Sequence, residues 1–422
     1  MDWSMLFPVV VGLILAQTAM EAFLGWLNRG SVRARAGTMP AVFRGVMDEA
    51  TYARSAEYTL AKSRFGQVQS VWEVAVLLGV LAAGLLPASF SGIHHLLGTS
   101  AWVDALWVVL VGLGFSTASL PFDWWAQFRL EARFGFNTST QGLWWMDRLK
   151  GLLLGIALGL PLLLLVLKLV SWMGTAWWLW AWGVILGFQL VMLVLAPILI
   201  LPLFNKLTPL PEGELRDRLL ALGERTGFSA RTILVMDGSK RSRHSNAFFT
   251  GFGRFRKIVL FDTLISQLTA EELEAVLAHE VGHSKCRHIP KRIVWSGLVL
   301  LGSLFVIARL AERPEFVGAF GFPPASGLAP ALLLFGFLAG PVGFWFAPLS
   351  NRWSRVHEYE ADAYASRTMD GPAALIGALR KLSEKNLSNL TPHPWFSAWH
   401  YSHPTLLERE TALVGSGSRR QG

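Results

Sequence analysis

Two apolar runs, 151–173 and 177–203, stand only three residues apart and constrain this chain more than any other feature. Each has the length a helix needs to cross a bilayer, about 20 residues at 1.5 Å per residue. Five further runs lie at 5–27, 70–90, 101–120, 293–311 and 329–350. Charged residues are 16% of the chain and hydrophobic ones 52%. Soluble domains average about 25% and about 45–50%. Backbone N–H and C=O groups in hydrocarbon must be satisfied within the chain, so the runs are read as helices. Pro161 and Pro197 fall inside runs, where membrane helices tolerate them. No small-residue cleavage signal follows the first run, which is kept as a span. The expected fold is an α-helical integral membrane protein with seven transmembrane helices.

The basic residues alternate along the chain. Connecting segments 28–67, 121–150, 204–292 and 351–422 hold 35 of the 38 Lys and Arg, and the intervening segments hold 2. By the positive-inside rule the amino terminus faces out and the carboxyl terminus faces the cytoplasm. The expected organisation is a five-span membrane domain over 1–203, a cytosolic catalytic subdomain over 204–292, two spans over 293–350 and a cytosolic carboxyl-terminal part over 351–422. The formal charge of +9 is thus a topology signal, and no nucleic-acid partner is expected. The partners are the lipid bilayer and whatever the cytosolic parts act on. A single cysteine, Cys286, excludes an intrachain disulfide and reads as a packing residue.

The segment 204–292 reads as α+β. A helix is expected over 212–227, a short buried strand over 232–236, and a hairpin from 248–253 with 258–261. A helix-like run then leads from Thr269 into His279-Glu280-Val281-Gly282-His283. Histidines four apart lie on one helix face and can share one zinc at about 2.0–2.1 Å each. The glutamate beside the first histidine is placed to take a proton from water at the metal. The sixth span begins near Ile293, with Pro290 as the expected kink between the motif helix and the membrane. A catalytic zinc takes three protein ligands. The second helix-like run, 351–362, offers His357, Glu358, Glu360 and Asp362. Glu358 and Asp362 share a face, so one can ligate while the other holds a histidine N–H. Spacing alone leaves all four open.

Further segments carry a resemblance. They are Glu131 followed by Gly135-Phe136-Asn137, then Pro202-Leu203-Phe204-Asn205, His244-Ser245-Asn246-Ala247-Phe248-Phe249-Thr250-Gly251, Ser354-Arg355-Val356-His357-Glu358-Tyr359-Glu360-Ala361-Asp362, and His403-Pro404 with Arg409. In these, and in their order, the chain resembles the type I CAAX prenyl protease family over residues 40–412. Those proteins are integral-membrane zinc endopeptidases first known for trimming prenylated proteins. The resemblance implies Glu358 as third ligand, with Asp362 and His288 supporting the metal site. It implies His403 as donor to the tetrahedral oxyanion, Arg409 as its electrostatic support, and Asn246 and Ala247 as an edge strand for the substrate backbone. It also implies one Zn2+ per chain at the cytosolic end of an intramembrane chamber. Substrates are then peptides or proteins, including prenylated or membrane-associated ones. The membrane is the inner membrane for a bacterial source and the ER membrane for a eukaryotic one.

Other readings remain on the same residues. A membrane quality-control zinc protease with broad substrates shares the motif and the later glutamate but has fewer spans. A metal transporter predicts acids and histidines inside several spans; here they cluster in the cytosolic segments. An inactive scaffold has no use for Glu280.

Overall fold

The computed structural model describes residues 5–228, 232–250, 257–324 and 326–418. The membrane part opens with α1 (Leu6–Ala36), α2 (Glu49–Ala82), α3 (Leu85–Leu97), α4 (Ala101–Trp125), α5 (Gln141–Met173), α6 (Trp177–Leu195) and a final turn α7 (Leu201–Phe204). Among the described residues, six continuous helical stretches are long and apolar enough to cross a membrane. One of them, Gln141–Phe204, is 64 residues long and contains two of the expected runs. Drawn straight it would measure about 96 Å, three times the hydrocarbon thickness of about 30 Å. It turns instead at Gly174, whose φ of 54° and ψ of −136° suit a residue without Cβ, and α5 packs back on α6. The seven apolar runs therefore occupy six stretches.

One span differs in its bounds. The expected 70–90 run is interrupted at Ala83-Gly84, where Gly84 takes a left-handed conformation. α2 supplies the crossing, and α3 folds beside α4. Phe90 and Trp107 meet edge-to-face at 5.0 Å, and both touch Phe322, so this end of the bundle closes on aromatic packing. Trp182 Nε1 donates to Gly297 O at 2.8 Å, satisfying a polar group between α6 and the fifth stretch, His288–Ala311. A cavity of about 860 Å³ opens between α4 and α5, lined by Gly112, Ser116, Gln127, Trp144, Asp147 and Gly155.

Beyond the membrane helices lies a four-stranded sheet. Its strands are β1 (Leu207–Pro209), β2 (Thr232–Met236), β3 (Ala247–Thr250) and β4 (Lys257–Phe261), in the order β1-β2-β4-β3. β2 runs parallel to β4, and β3 pairs antiparallel to β4 with Ala247 opposite Leu260. β3 is thus an edge strand. Residues 251–256, where the hairpin turn is expected and where the motif's Gly251 falls, lie outside the described residues. α8 (Glu214–Arg225) ends before Gly227, whose φ is +59°. α9 (Asp262–Gln267) leads to the motif helix α10 (Ala270–Lys285). Leu219, Leu222, Ile258, Leu260, Leu273 and Leu277 form the core beneath the sheet.

α11 (His288–Ala311) returns through the membrane, followed by α12 (Pro314–Gly318), α13 (Leu328–Gly343) and α14 (Ala347–Thr368). The expected kink at Pro290 is not where the chain breaks. Arg287 takes φ 57°, a left-handed residue between α10 and α11. Pro290 sits in the first turn of α11, where its missing N–H has no helical partner to lose. α13 and α14 join into one 41-residue stretch, which carries the seventh apolar run out to the acidic motif. α15 (Ala373–Lys385), α16 (Pro394–His400) and α17 (Leu406–Ser418) complete the chain.

Candidate metal centre

α10 starts at a capping box. Thr269 accepts from Glu272 N at 3.3 Å, and Glu272 accepts from Thr269 N at 2.8 Å. Lys381 holds the same carboxylate at 2.7 Å from α15. Glu274, buried two residues on, is held by Arg218 and Arg225 of α8. The start of α10 is therefore fixed by side chains from two neighbours.

Its far end is placed by a close crossing. A Cβ on Gly282 would lie 2.9 Å from Ala361 Cα and 3.0 Å from Ala361 O. Only hydrogen fits between these backbones, so α10 and α14 approach nearer than two larger residues allow. This contact sets the rotation of α14 and decides which acids of the second run face the histidines. Gly282→Ala places its methyl against backbone that cannot turn aside, and overpacking of this kind costs about 1–3 kcal/mol. We expect a lower melting temperature in detergent and weaker metal retention; an unchanged melt with full metal content would show that the crossing tolerates a methyl.

At the crossing, His279 Nε2 and His283 Nε2 lie 3.2 Å apart. Glu358 Oε2 is 3.5 Å from the first, and Oε1 is 3.4 Å from the second. Ligands at about 2.0–2.1 Å around a tetrahedral ion stand about 3.3 Å from one another. The three side chains thus form edges of the right length. Glu358 is 2% exposed, and its Oε2 has no aligned hydrogen bond. The nearest nitrogen, His403 Nδ1, approaches it at 2.8 Å. A buried carboxylate that turns one oxygen toward each of two imidazole nitrogens fits a divalent cation. A second group, Cys286, His288 and Glu360, also brings ligand atoms within 4.8 Å of one another.

The two histidines sit in different fields. Burial opposes charging His279, but Asp362 and Glu358 overcome it and hold the ring up at about 9. That surrounding favours positive charge, which a cation supplies in the proton's place. Burial and the neighbouring His279 hold His283 down at about 4, so it presents neutral imidazole. Glu280 lies on the same turn, half-buried. Burial raises its carboxyl above the ordinary range, and Glu358 adds to the shift.

Asp362 Oδ1 lies 2.8 Å from His279 Nδ1. Arg409 of α17 grips both oxygens of Asp362, with Nε to Oδ2 at 2.8 Å. Arg409 Nη2 also approaches His279 Nδ1 at 3.4 Å, so the guanidinium packs against both the carboxylate and the ring. His403 lies on the loop between α16 and α17, with 65% of its side chain exposed. Ala247 begins the edge strand β3, beside α10, and Asn246 immediately precedes it.

Two supports were not singled out in the sequence. Arg355 reaches from α14 to Tyr401 O at 3.1 Å and to Ser397 Oγ at 2.9 Å, clamping the segment that leads to His403. The arginine of the Ser354-Arg355 pair was the available signal. His244, two residues before Asn246, stacks on Phe136 at 4.1 Å and meets Glu131 Oε2 at 3.3 Å. Tyr58 donates to Glu131 Oε1 at 2.7 Å. The glutamate-then-glycine loop thus ties α2 and α4 to the approach of β3.

Comparison with known proteins agrees with this arrangement. Residues 29–206 match the family described as CAAX prenyl protease N-terminal, five membrane helices, and residues 209–416 match peptidase family M48. "CAAX prenyl protease 1 homolog" of Oryza sativa is 34% identical, covering 99% of this chain and 100% of its own. "CAAX prenyl protease 1" of Saccharomyces cerevisiae is 34% identical over 96% of this chain and 94% of its own. The crystal structure of S. mikatae Ste24p superposes with a TM-score of 0.89 at 32% identity, covering 98% of this chain and 99% of that one. These matches make the chain an integral-membrane zinc metalloprotease. By both halves of its length, this chain belongs to peptidase family M48, with the membrane helices of the CAAX prenyl proteases preceding its peptidase part.

Proposed function

We propose that this chain hydrolyses peptide bonds with one zinc held by His279, His283 and Glu358. The observation that carries the reading is the convergence of those three ligand atoms within 4.8 Å, beside the half-buried Glu280. A zinc ion held there supplies an activated water and polarises the scissile carbonyl. The chain's own groups do the rest. Glu280 takes a proton on its carboxylate and returns it to the leaving amine. His403 donates to the oxyanion from its exposed loop. Asp362 and Arg409 fix His279, and His288 supports His283. β3 receives an extended substrate backbone from Asn246 and Ala247 by adding a strand at the open edge. Purified protein should carry about one zinc, falling sharply in His279→Ala; equal zinc in both proteins rejects the ligand set.

The relatives' names extend the reading to substrates: CAAX-type chains that are prenylated or membrane-associated, entering from a chamber among the membrane helices. The division into membrane parts 1–203 and 293–350 and catalytic parts 204–292 and 351–422 belongs to the same proposal. So does a cytoplasmic catalytic face, in an inner or ER membrane according to source. Its support is the basic-residue asymmetry. Reporters fused after Gly98 and Met173 should read outside, and after Arg54 and Arg409 inside; a cytoplasmic signal at Gly98 rejects the arrangement.

A further inference from the structure

We propose that Glu360 is a positioning residue, which acts through His288 to fix the proton arrangement on His283. The proposal rests on the zinc reading above and concerns why one ligand nitrogen is free to bind. His283 Nδ1 and His288 Nδ1 lie 2.8 Å apart. Two ring nitrogens at that distance share one proton, so one donates and the other accepts. The far nitrogen, His288 Nε2, lies 2.8 Å from Glu360 Oε2. An ionised carboxylate only accepts, so His288 carries its proton at Nε2. Neutral His288 then offers Nδ1 as acceptor, and His283 must donate from Nδ1. This leaves the lone pair of His283 on Nε2, the atom that faces His279 and Glu358. Without Glu360, His288 is free to move its proton to Nδ1. His283 Nδ1 then becomes the acceptor, and its Nε2–H points into the metal position.

The surroundings hold this chain in place. His288 is 2% exposed and begins α11 directly after the left-handed Arg287, which turns it back onto α10. Its ring stacks on His357 at 4.0 Å with planes 13° apart. His357 and Glu360 are three apart on α14 and share a face, next to the face that carries Glu358 and Asp362. One helix thus supplies a ligand from one face and the relay's anchor from the next. Lys291 Nζ stands 4.0 Å from Glu360 Oε2 and favours its ionised form. The two ligand histidines differ accordingly: Asp362 holds His279 directly, while Glu360 reaches His283 through a second imidazole. The rival use of the same side chains is a second metal on Cys286, His288 and Glu360.

The test is zinc affinity by chelator competition, with cobalt substitution as the spectroscopic readout. Glu360 has 43% of its side chain exposed, so its variants should fold. Loss of such an outer partner typically costs 10–100-fold in metal affinity. Glu360→Ala should weaken zinc by about that factor and shift the cobalt ligand-field bands. Glu360→Gln keeps an acceptor oxygen and should restore both. His288→Ala should match Glu360→Ala, and the double variant should add nothing. If the unchanged protein binds about one zinc and Glu360→Ala binds it equally tightly, the relay is overturned while the zinc reading stands. If the unchanged protein binds none, the zinc reading itself fails. Two equivalents of cobalt, with a thiolate charge-transfer band lost in Cys286→Ser, would make the cluster a metal site and overturn the relay.

Discussion

Glu280→Gln should leave zinc content and melting behaviour at the level of the unchanged protein and reduce peptide cleavage by about 10²–10⁴-fold or more. The amide has the size and shape of the carboxylate, so the packing of α10 against α14 is preserved. It cannot accept a proton at neutral pH. Glu280 lies outside the ligand cluster of His279, His283 and Glu358, so metal retention does not depend on it. Its burial, with Glu358 nearby, raises its carboxyl above the ordinary range, which makes it a stronger base than an exposed glutamate. The measurement is turnover of a fluorogenic peptide in detergent, with zinc determined on the same preparation. A variant that keeps a third of the original turnover would falsify the general-base role. Loss of zinc in parallel with activity would instead place Glu280 among the groups that hold the metal.

How much of this was legible in the sequence follows from the range of each interaction. The spacing of His279 and His283 is a property of one helix, and one helix turn is visible in five residues. The apolar runs are equally local, and all seven appear in helices. The proposed third ligand is different. Glu358, Glu360 and Asp362 lie within five residues, and their assignment depends on how α14 is rotated against α10. That rotation is set by the approach of Gly282 to Ala361, 79 positions apart in the chain. No spacing rule reports it. The break at Arg287 was hidden for a related reason. Pro290 is the visible helix breaker, but proline is well tolerated in a first turn, and the chain reverses where His288 must reach back to His283. The run at 70–90 looked continuous because hydropathy does not register the left-handed turn at Gly84. The clamp of Arg355 on Ser397 and Tyr401 joins segments more than forty residues apart, and composition is blind to it.

His403→Ala should lower turnover by about 10²–10³-fold, the usual cost of one donor aimed at a developing oxyanion. Binding of the substrate in its ground state should change little, because that charge exists only in the transition state. Three features of the structure make the effect specific. His403 is largely exposed, so removing its ring opens no cavity in the core. Its loop is held at Tyr401 and Ser397 by Arg355, which the substitution leaves in place. Its Nδ1 stands 2.8 Å from Glu358 Oε2, close to the metal ligands but outside their cluster. Zinc content should therefore stay at its original level, and the loss should fall on kcat with KM nearly constant. Arg355→Ala offers an independent approach to the same loop. It frees the segment before His403 and should reproduce a milder version of the same kcat loss. If His403→Ala sheds its zinc, the contact with Glu358 is part of metal binding and the ligand set must be redrawn around it. If turnover is unchanged, His403 is an ordinary loop histidine, and the oxyanion must find its donor elsewhere on the loop that Arg355 clamps.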